Sequence, residues 1–303
     1  MGSDLTNGQA TRRQRTRLHG AVLAAVLAGV TGAPAALAQD DAAACDHTAH
    51  PHGCTDPTDA DAVAKGVNIT TEAYPWGAAR TVVGAAMFTG DHWRERMGST
   101  AENFQLGNDR MTEDQLADYQ KNKPGTFIVW HFLDESDPDD LALLDMSVTY
   151  DHASVGSDSM FWMSFNDDGE VVNYEGDEWP LPDNLFSHPR SAGAFAKMLR
   201  SYVRERGIPS MSEAIRKMSL LPAQTIENFV PQMRQKGRLQ VGMDADIVVF
   251  DPDTNADRAT FEDSAQPAVG VQTLLLNGGF VVRDGQLVLD APHGQPIRRA
   301  VSE

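Results

Sequence analysis

The feature that most limits the folds open to this chain is a C-terminal series of short apolar segments separated by tight-turn residues. Residues 246–251, 271–276 and 280–283 each have the length and β-branched content of a short strand. Asn277-Gly278 and Asp284-Gly285 follow two of these segments, and such pairs are typical of two-residue hairpin turns. The tail of the chain is therefore predicted to be an antiparallel β module.

The middle of the chain has a different pattern, in which strands alternate with helices. Strands are predicted at 67–71 and 126–132, and a third is predicted to end at Gly156-Ser157-Asp158. Helices are predicted at residues 112–121, 138–144, 192–206 and 212–218. The order βαβα followed by an all-β tail predicts an α/β fold, in which part of an α/β barrel precedes a small β-sandwich.

The N-terminus has the pattern of a targeting segment. Several arginines precede an apolar run at residues 21–30, and Ala36-Leu37-Ala38 matches a small-x-small cleavage site. This pattern predicts a signal peptide at 1–38, export to the periplasm or the extracellular space, and no membrane span once the signal is removed. The alternative is a mistranslated upstream stretch without a targeting role.

A polar segment at residues 39–57 follows the predicted cleavage site. It holds both cysteines of the chain, Cys45 and Cys54, with three histidines between them. In an exported chain the cysteines are candidates for a disulfide, and a Cys/His cluster is also a candidate metal site. Because no periodic apolar residues surround the cluster, a flexible polar linker is the third interpretation.

The formal net charge of −18 narrows the class of partner. Nucleic acids and anionic membrane surfaces would both be repelled by such a chain. Neither is expected as a partner.

Residues 236–251, KGRLQVGMDADIVVFD, resemble the segment that ends chains of the amidohydrolase superfamily. Three further motifs resemble its N-acyl-D-amino-acid deacylase (D-aminoacylase) branch. They are Glu72-Ala73-Tyr74-Pro75-Trp76, Gly156-Ser157-Asp158, and His188-Pro189-Arg190 followed by Gly193 and Phe195. The likeness extends over about residues 58 to 300.

This resemblance implies both a fold and an activity. The fold is the C-terminal part of a TIM-like (β/α) barrel, about three strands within 58–222 with a lid-like insert at 80–125, followed by a β-sandwich segment at 223–303. The implied activity is metal-dependent hydrolysis of the amide C–N bond in N-acyl-D-amino acids, with zinc as the cofactor. The substrate is then a small molecule.

The resemblance also assigns candidate site residues. Asp158 matches the catalytic aspartate, and a carboxylate there could move a proton during amide hydrolysis. Arg190 suits the α-carboxylate of the substrate because a guanidinium binds a carboxylate through two hydrogen bonds. His188 is predicted to orient the substrate or its loop, and Tyr74 to donate a hydrogen bond. The alternatives are a turn-capping aspartate, a surface ion pair, a structural histidine and a core tyrosine.

The chain departs from the family pattern in its metal ligands. The first-strand His-x-His pair of the family has no clear counterpart, since His50-Pro51-His52 follows no apolar strand. No metal ligands are identified, and the N-terminal half that carries them in the family is expected to be missing. An incomplete barrel leaves open strand edges through which copies could self-associate. A catalytically inactive fragment is therefore one alternative, and a different amidohydrolase, such as a cyclic-imide hydrolase or a dipeptidase, is another.

Overall fold

The computed structural model describes residues 65–67 and 69–298, which divide into two compact units. The first unit contains the residues up to Thr71 and residues 76–147, and the second contains Glu72–Pro75 and the residues from Val148 onward. The predicted signal peptide, the linker at 39–57 and its Cys/His cluster lie outside the described residues. Among the helices in the described part of the chain, none has both the length and the apolar content needed to cross a bilayer.

The regular elements are numbered here in chain order. The strands are β1 (Thr71–Ala73), β2 (Ala78–Val82), β3 (Phe104–Leu106), β4 (Asp109–Arg110), β5 (Phe127–His131), β6 (Ala153–Val155), β7 (Met163–Phe165), β8 (Val171–Asn173), β9 (Ile247–Phe250), β10 (Val271–Leu276), β11 (Gly279–Arg283) and β12 (Gln286–Leu287). The α-helices are α1 (Trp93–Met97), α2 (Glu113–Asn122), α3 (Pro138–Thr149), α4 (Arg190–Lys197), α5 (Met211–Ile215) and α6 (Leu221–Ile226). Short 3-10 helices are formed by Ala86–Phe88, Ala101–Asn103 and Pro231–Gln235, and π-helical segments by Met198–Glu205 and Arg216–Leu220.

The first unit is built on a four-stranded sheet in the order β2-β5-β3-β4, with antiparallel pairing throughout. Aromatic side chains form its core. The ring centroid of Phe88 lies 4.9 Å from that of Phe104 and 5.2 Å from that of Trp130, both in edge-on geometry. The Trp130 indole also donates a hydrogen bond of 2.9 Å to the buried Ser99 hydroxyl, which satisfies the polar atom of a fully buried ring.

Helix α2 follows the sheet strand β4 and begins where the sequence predicts. The Thr112 hydroxyl accepts a 3.3 Å hydrogen bond from the Gln115 backbone N–H. The Gln115 side chain accepts a 2.9 Å hydrogen bond from the Thr112 backbone N–H, which completes a capping box. Acidic Glu113 and Asp114 in the first turn favour the same start, since they face the positive end of the helix dipole.

The predicted strand at 126–132 is present as β5, but its place in a barrel is not confirmed. β5 pairs antiparallel with β2, where Arg80 lies opposite Val129, and also with β3. A continuous apolar run is compatible with a buried parallel strand or a central antiparallel strand, so periodicity could not reveal these partners. The residues at 80–125 that were predicted as a lid-like insert supply three strands of this sheet in whole or in part.

In the second unit β1 pairs with β6, and β7 pairs with β8 as an antiparallel hairpin. The predicted strand at 67–71 is displaced, since the strand begins only at Thr71 and the Ile69 N–H donates a 3.0 Å hydrogen bond to the Val67 carbonyl. A partial barrel is thus not confirmed by the described residues. The mixed helices and sheets of the two units are those of an α/β chain.

Two long helical segments lie between the strands of the second unit. α4 continues directly into the π-helical segment Met198–Glu205, and α5 continues through Arg216–Leu220 into α6. Both occupy the positions of predicted helices. The side chain of Lys217 is fully buried in the second segment, and its ammonium donates hydrogen bonds to the backbone carbonyls of Tyr150 and, at 3.0 Å, Ala153.

The predicted C-terminal β module is present as a four-stranded antiparallel sheet in the order β12-β11-β10-β9. Asn277-Gly278 and Asp284-Gly285 form its tight turns, and all four residues have positive φ. Positive φ at both central positions is the geometry that Asn-Gly and Asp-Gly pairs accept most readily. None of the residues in these four strands is buried.

Candidate functional site

The candidate site lies in the second unit, where the chain leaves β1 and β6. The backbone N–H of Gly156 donates a 3.0 Å hydrogen bond to the Ala73 carbonyl, which fixes the two strand ends side by side. Glu72 is in β1 and Tyr74 follows that strand. Both side chains lie close enough to Asp158 and Arg190 for their charges to interact.

Asp158 follows the end of β6 in an unusual backbone conformation. Its φ of 44° lies in the left-handed region, which aspartate tolerates better than most side chains. The side chain is 54% exposed, so its carboxylate is accessible to water and to a small molecule. The structure thus places Asp158 at a strand end, as the sequence predicts.

Arg190 is in the first turn of α4 and is almost completely buried, with 1% of its side chain exposed. Its Nη2 lies 2.6 Å from Oδ2 of Asp158, and its Nε donates a 2.8 Å hydrogen bond to the Asp158 backbone carbonyl. Nη1 is buried and has no hydrogen-bond partner among the described residues. A buried guanidinium nitrogen without an acceptor is costly, so this atom is a candidate donor to an anionic or carbonyl oxygen.

Tyr74 stacks on the same guanidinium. The Arg190 Cζ atom lies 4.3 Å from the centre of the Tyr74 ring, in cation–π geometry. Burial raises the pKa of the Tyr74 phenol to about 12, an effect that the neighbouring Arg190 opposes only in part. The phenol therefore stays protonated near neutral pH and remains a hydrogen-bond donor.

His188 is buried and lies against the aromatic side of the site. Its Nδ1 accepts a 3.1 Å hydrogen bond from the Arg190 backbone N–H, which assigns the proton of the neutral ring to Nε2. The ring contacts Tyr74 and Phe261 edge-on, at centroid distances of 6.0 and 5.2 Å. His188 thus holds the start of α4 and the base of the site in position.

The structure brings all four predicted site residues, Tyr74, Asp158, His188 and Arg190, into one cluster within the second unit. Their chemical roles stay predictions. By contrast, His131 lies in the first unit, where its Nε2 is 2.9 Å from the Gln105 side-chain oxygen. Burial, with a smaller effect of Arg110, lowers the pKa of His131 to about 3, so this ring is neutral.

Glu72 is a member of the cluster that sequence reasoning missed. Burial raises the pKa of its carboxyl, the negative charge of Asp158 raises it further, and Arg190 opposes both effects. A Cβ added at Gly156 would lie 2.0 Å from Oε1 of Glu72, so the carboxyl packs directly against the Gly156 backbone. The signal that could have found it is its place in the Glu72-Ala73-Tyr74-Pro75-Trp76 motif, two residues before Tyr74.

The described residues do not fit the zinc site that the resemblance implies. In the part of the chain that the structure describes, no three or more His, Cys, Asp or Glu side chains converge as a metal ion would require. Glu72 and Asp158 supply two carboxylates, but Asp158 is already paired with Arg190. The histidines at 47, 50 and 52 and the two cysteines lie outside the described residues.

Comparison with known proteins confirms the predicted resemblance. The chain is 40% identical over 98 residues to the N-acyl-D-glutamate deacylase of Alcaligenes xylosoxydans xylosoxydans, a match to 32% of this chain and 19% of the relative. It is 39% identical over 101 residues to the D-aminoacylase of the same organism, which covers 33% of this chain and 20% of the relative. No protein-family model matches the chain.

A solved structure agrees with this at the level of the fold. The N-acyl-D-glutamate deacylase from Bordetella bronchiseptica, complexed with zinc and a phosphonate inhibitor, superposes with a TM-score of 0.53 at 24% identity. The match covers 76% of this chain and 44% of that one. The chain thus spans about a fifth of the length of the curated relatives and less than half of the solved one. These relatives are hydrolases, as predicted for the enzyme class.

Proposed function

We propose that this chain hydrolyses the amide C–N bond of N-acyl-D-amino acids. The observation that carries the proposal is the buried Arg190 guanidinium, which is bonded to Asp158 on one side and keeps Nη1 without a partner among the described residues. An N-acyl amino acid has its carboxylate one carbon away from its amide nitrogen. An arginine that binds the carboxylate therefore brings the amide close to the adjacent aspartate.

The binding step rests on Arg190 and Tyr74. Nη1 of Arg190 would donate a charge-assisted hydrogen bond to the substrate carboxylate, and such bonds are about twice as strong as neutral ones. The Tyr74 phenol, protonated near neutral pH, would donate a hydrogen bond to the same carboxylate or to the acyl oxygen. His188 would keep the arginine in place through the 3.1 Å hydrogen bond between its Nδ1 and the Arg190 N–H.

The chemical step rests on Asp158, whose side chain is accessible. Its carboxylate would accept a proton from the attacking water while the water oxygen forms a bond to the amide carbon. It would then deliver this proton to the departing nitrogen as the C–N bond breaks, which yields a carboxylic acid and a free amino acid. One water is consumed, and the aspartate returns to its starting state.

Zinc enters the proposal only through the resemblance and the zinc complex of the Bordetella relative. The residues described for this chain do not supply a ligand set for it. Metal dependence is therefore a separate question for experiment. The preferred D-side chain is a further one, since the relatives include deacylases named for different substrates.

The test is an assay of free amine released from N-acetyl-D-leucine and N-acetyl-L-leucine by the full 303-residue chain, with and without added zinc chloride. The proposal predicts release from the D form alone and its loss in Asp158→Asn. Equal release from both forms would contradict the stereochemical part. If no amine is released from either form, with or without zinc, the proposed hydrolysis is contradicted.

A second candidate function is binding of N-acyl amino acids without turnover. It is favoured by the combination of an intact Arg190 cluster with no metal-ligand cluster among the described residues. Calorimetric binding of N-acetyl-D-leucine without amine release would support it.

We also propose that the chain is exported. Support comes from the basic start, the apolar run at 21–30 and the Ala36-Leu37-Ala38 motif. Expression in a Gram-negative host followed by mass spectrometry of the periplasmic fraction should give a mature N-terminus at Gln39. A chain that keeps its first residue and stays in the cytoplasm would contradict export.

A further inference from the structure

The Glu72 carboxyl has a fixed position in the cluster. Its Oε1 occupies space 2.0 Å from where a Cβ on residue 156 would lie, and the Cδ atom is 2.8 Å from the same point. A glycine at 156 is thus what allows the carboxyl to lie against the end of β6, two residues before Asp158. The carboxyl cannot remain there if residue 156 carries a side chain.

The groups that face Glu72 come from three parts of the unit. Asp158 follows β6 and Arg190 begins α4, and their charges act on the Glu72 carboxyl in opposite directions. Tyr74 follows β1, and the charge of Glu72 acts on its phenol. The cluster therefore holds two carboxyl groups and one guanidinium. The close contacts of Arg190, 2.6 Å and 2.8 Å, both go to Asp158, so Glu72 is the carboxyl with the weaker compensation.

An incoming carboxylate changes this balance. Once a substrate anion has bound at Nη1 of Arg190, three negative groups would lie near one guanidinium: the ligand, Asp158 and Glu72. A like charge within a few ångströms favours protonation of the group that is easiest to neutralise. Half-burial and the neighbouring Asp158 already raise the pKa of Glu72, so Glu72 is that group.

We propose that binding of a carboxylate ligand at Arg190 is coupled to uptake of one proton by Glu72, so that Glu72 sets the pH range in which the site binds anions. This inference rests on the proposed function, because it takes the N-acyl amino acid carboxylate as the ligand. The inference goes beyond the proposed function because it makes Glu72 a positioning residue, which acts through the charge state of the Arg190–Asp158 pair.

The sign of the effect follows from the two charge states of Glu72. At low pH Glu72 is protonated and an anion meets only Asp158 and Arg190. As the pH rises through the raised pKa of Glu72, the anion must either meet an additional negative charge or bring a proton with it. The dissociation constant should therefore rise by up to about tenfold for each pH unit above that pKa.

The experiment is calorimetric titration of the full chain with N-acetyl-D-leucine over a pH series, in two buffers of different ionisation enthalpy. Wild type should take up protons on binding at pH values above the pKa of Glu72 in the free protein, and the uptake per bound ligand should pass through a maximum that approaches one. Glu72→Gln keeps the shape of the side chain, and should bind with a dissociation constant independent of pH and with no proton uptake. The exposed Glu175→Gln is the matched control and should behave as wild type.

A second variant keeps the charge and moves it. The φ of Gly156 is not positive, so alanine fits the backbone at this position. The main effect of Gly156→Ala is therefore to displace the Glu72 carboxyl. The midpoint of the pH dependence should shift in this variant while proton uptake persists. This readout keeps the inference testable if Glu72→Gln does not fold.

The outcomes separate the inference from the proposed function. Binding by wild type with the same proton uptake in Glu72→Gln, or with no pH dependence at all, would overturn the coupling and leave the proposed function standing. Absence of binding by wild type at every pH would contradict the proposed function, and the coupling with it.

Discussion

Two buried cationic side chains lie at opposite ends of β6, and they differ in the kind of group that they bind. Lys217 lies at the entry to the strand, where its ammonium donates to the carbonyls of Tyr150 and Ala153. Arg190 lies at the exit, where it pairs with the accessible carboxylate of Asp158 and keeps Nη1 without a partner among the described residues. Both side chains are nearly or fully buried.

The difference indicates what each end of the strand is built for. Backbone carbonyls cannot leave or titrate, so the Lys217 contacts serve only to fix the chain, and burial lowers the pKa of its ammonium as a cost of that anchoring. A half-exposed carboxylate and a free guanidinium nitrogen can exchange partners with a ligand. Under the proposed function, the contacts at the entry end stabilise the fold and those at the exit end bind and convert the ligand.

Of the variants that test this contrast, Asp158→Asn is expected to have the largest effect, which is on kcat. Loss of the proton-transfer group should reduce kcat for N-acetyl-D-leucine by about 100- to 10,000-fold. The free energy of unfolding should fall by about 1–3 kcal/mol, because the buried Arg190 guanidinium keeps a neutral acceptor at this position but loses its negative partner. Amine-release kinetics and urea unfolding measure the two quantities. A variant whose kcat per folded molecule stays within about tenfold of wild type would break the contrast.

A smaller effect, of the opposite kind, is expected for Lys217→Met. Two buried carbonyls lose their donor, which should lower the free energy of unfolding by about 1–3 kcal/mol. kcat per folded molecule should be unchanged. Arg216→Met is the control, since this neighbour pairs with Glu213 and donates to the exposed carbonyl of Asp151, contacts worth together at most about 1 kcal/mol. Equal urea midpoints for the two variants would refute the anchoring role of Lys217.

The smallest effect concerns the pH dependence of stability. The pKa of Glu72 is raised above its ordinary value of 4.5 in the folded state. Its contribution to stability is therefore fully present below that ordinary value and is lost as the pH rises through the raised value. Glu72→Gln should remove this loss, so the variant should match wild type in acid and exceed it near neutral pH. Urea unfolding across the pH series, with Glu175→Gln as control, measures it, and parallel curves for the two variants would exclude the effect.

The parts of the fold that could be predicted from the sequence are those set by local chemistry. Asn277-Gly278 and Asp284-Gly285 determine their turns through positive φ, and the Thr112–Gln115 capping box determines the start of α2. The partners of β5 could not be predicted, because an apolar run does not specify which distant segment pairs with it. The strand was therefore assigned to a barrel although it belongs to an antiparallel sheet.

The residues of the candidate site could be predicted from the sequence, but the bonds between them could not. Asp158 and Arg190 were found as separate motifs with separate tasks, whereas the structure joins them through a 2.6 Å contact. Glu72 was missed because a single acidic residue in a short strand is ordinarily solvent-exposed. Lys217 was missed for the same reason, although its position three residues after the buried Ala214 places it on the inner face of its helix.

The measurement that tests the central claim most directly is the affinity of wild type and Arg190→Lys for N-acetyl-D-leucine, determined by calorimetry at acidic pH, where Glu72 is protonated. Lysine keeps the positive charge and loses the guanidinium fork, so the claim that Nη1 binds the ligand carboxylate predicts a dissociation constant about 10- to 100-fold weaker in the variant. Equal affinity of wild type and Arg190→Lys, with both proteins folded, would contradict it and place the anion elsewhere.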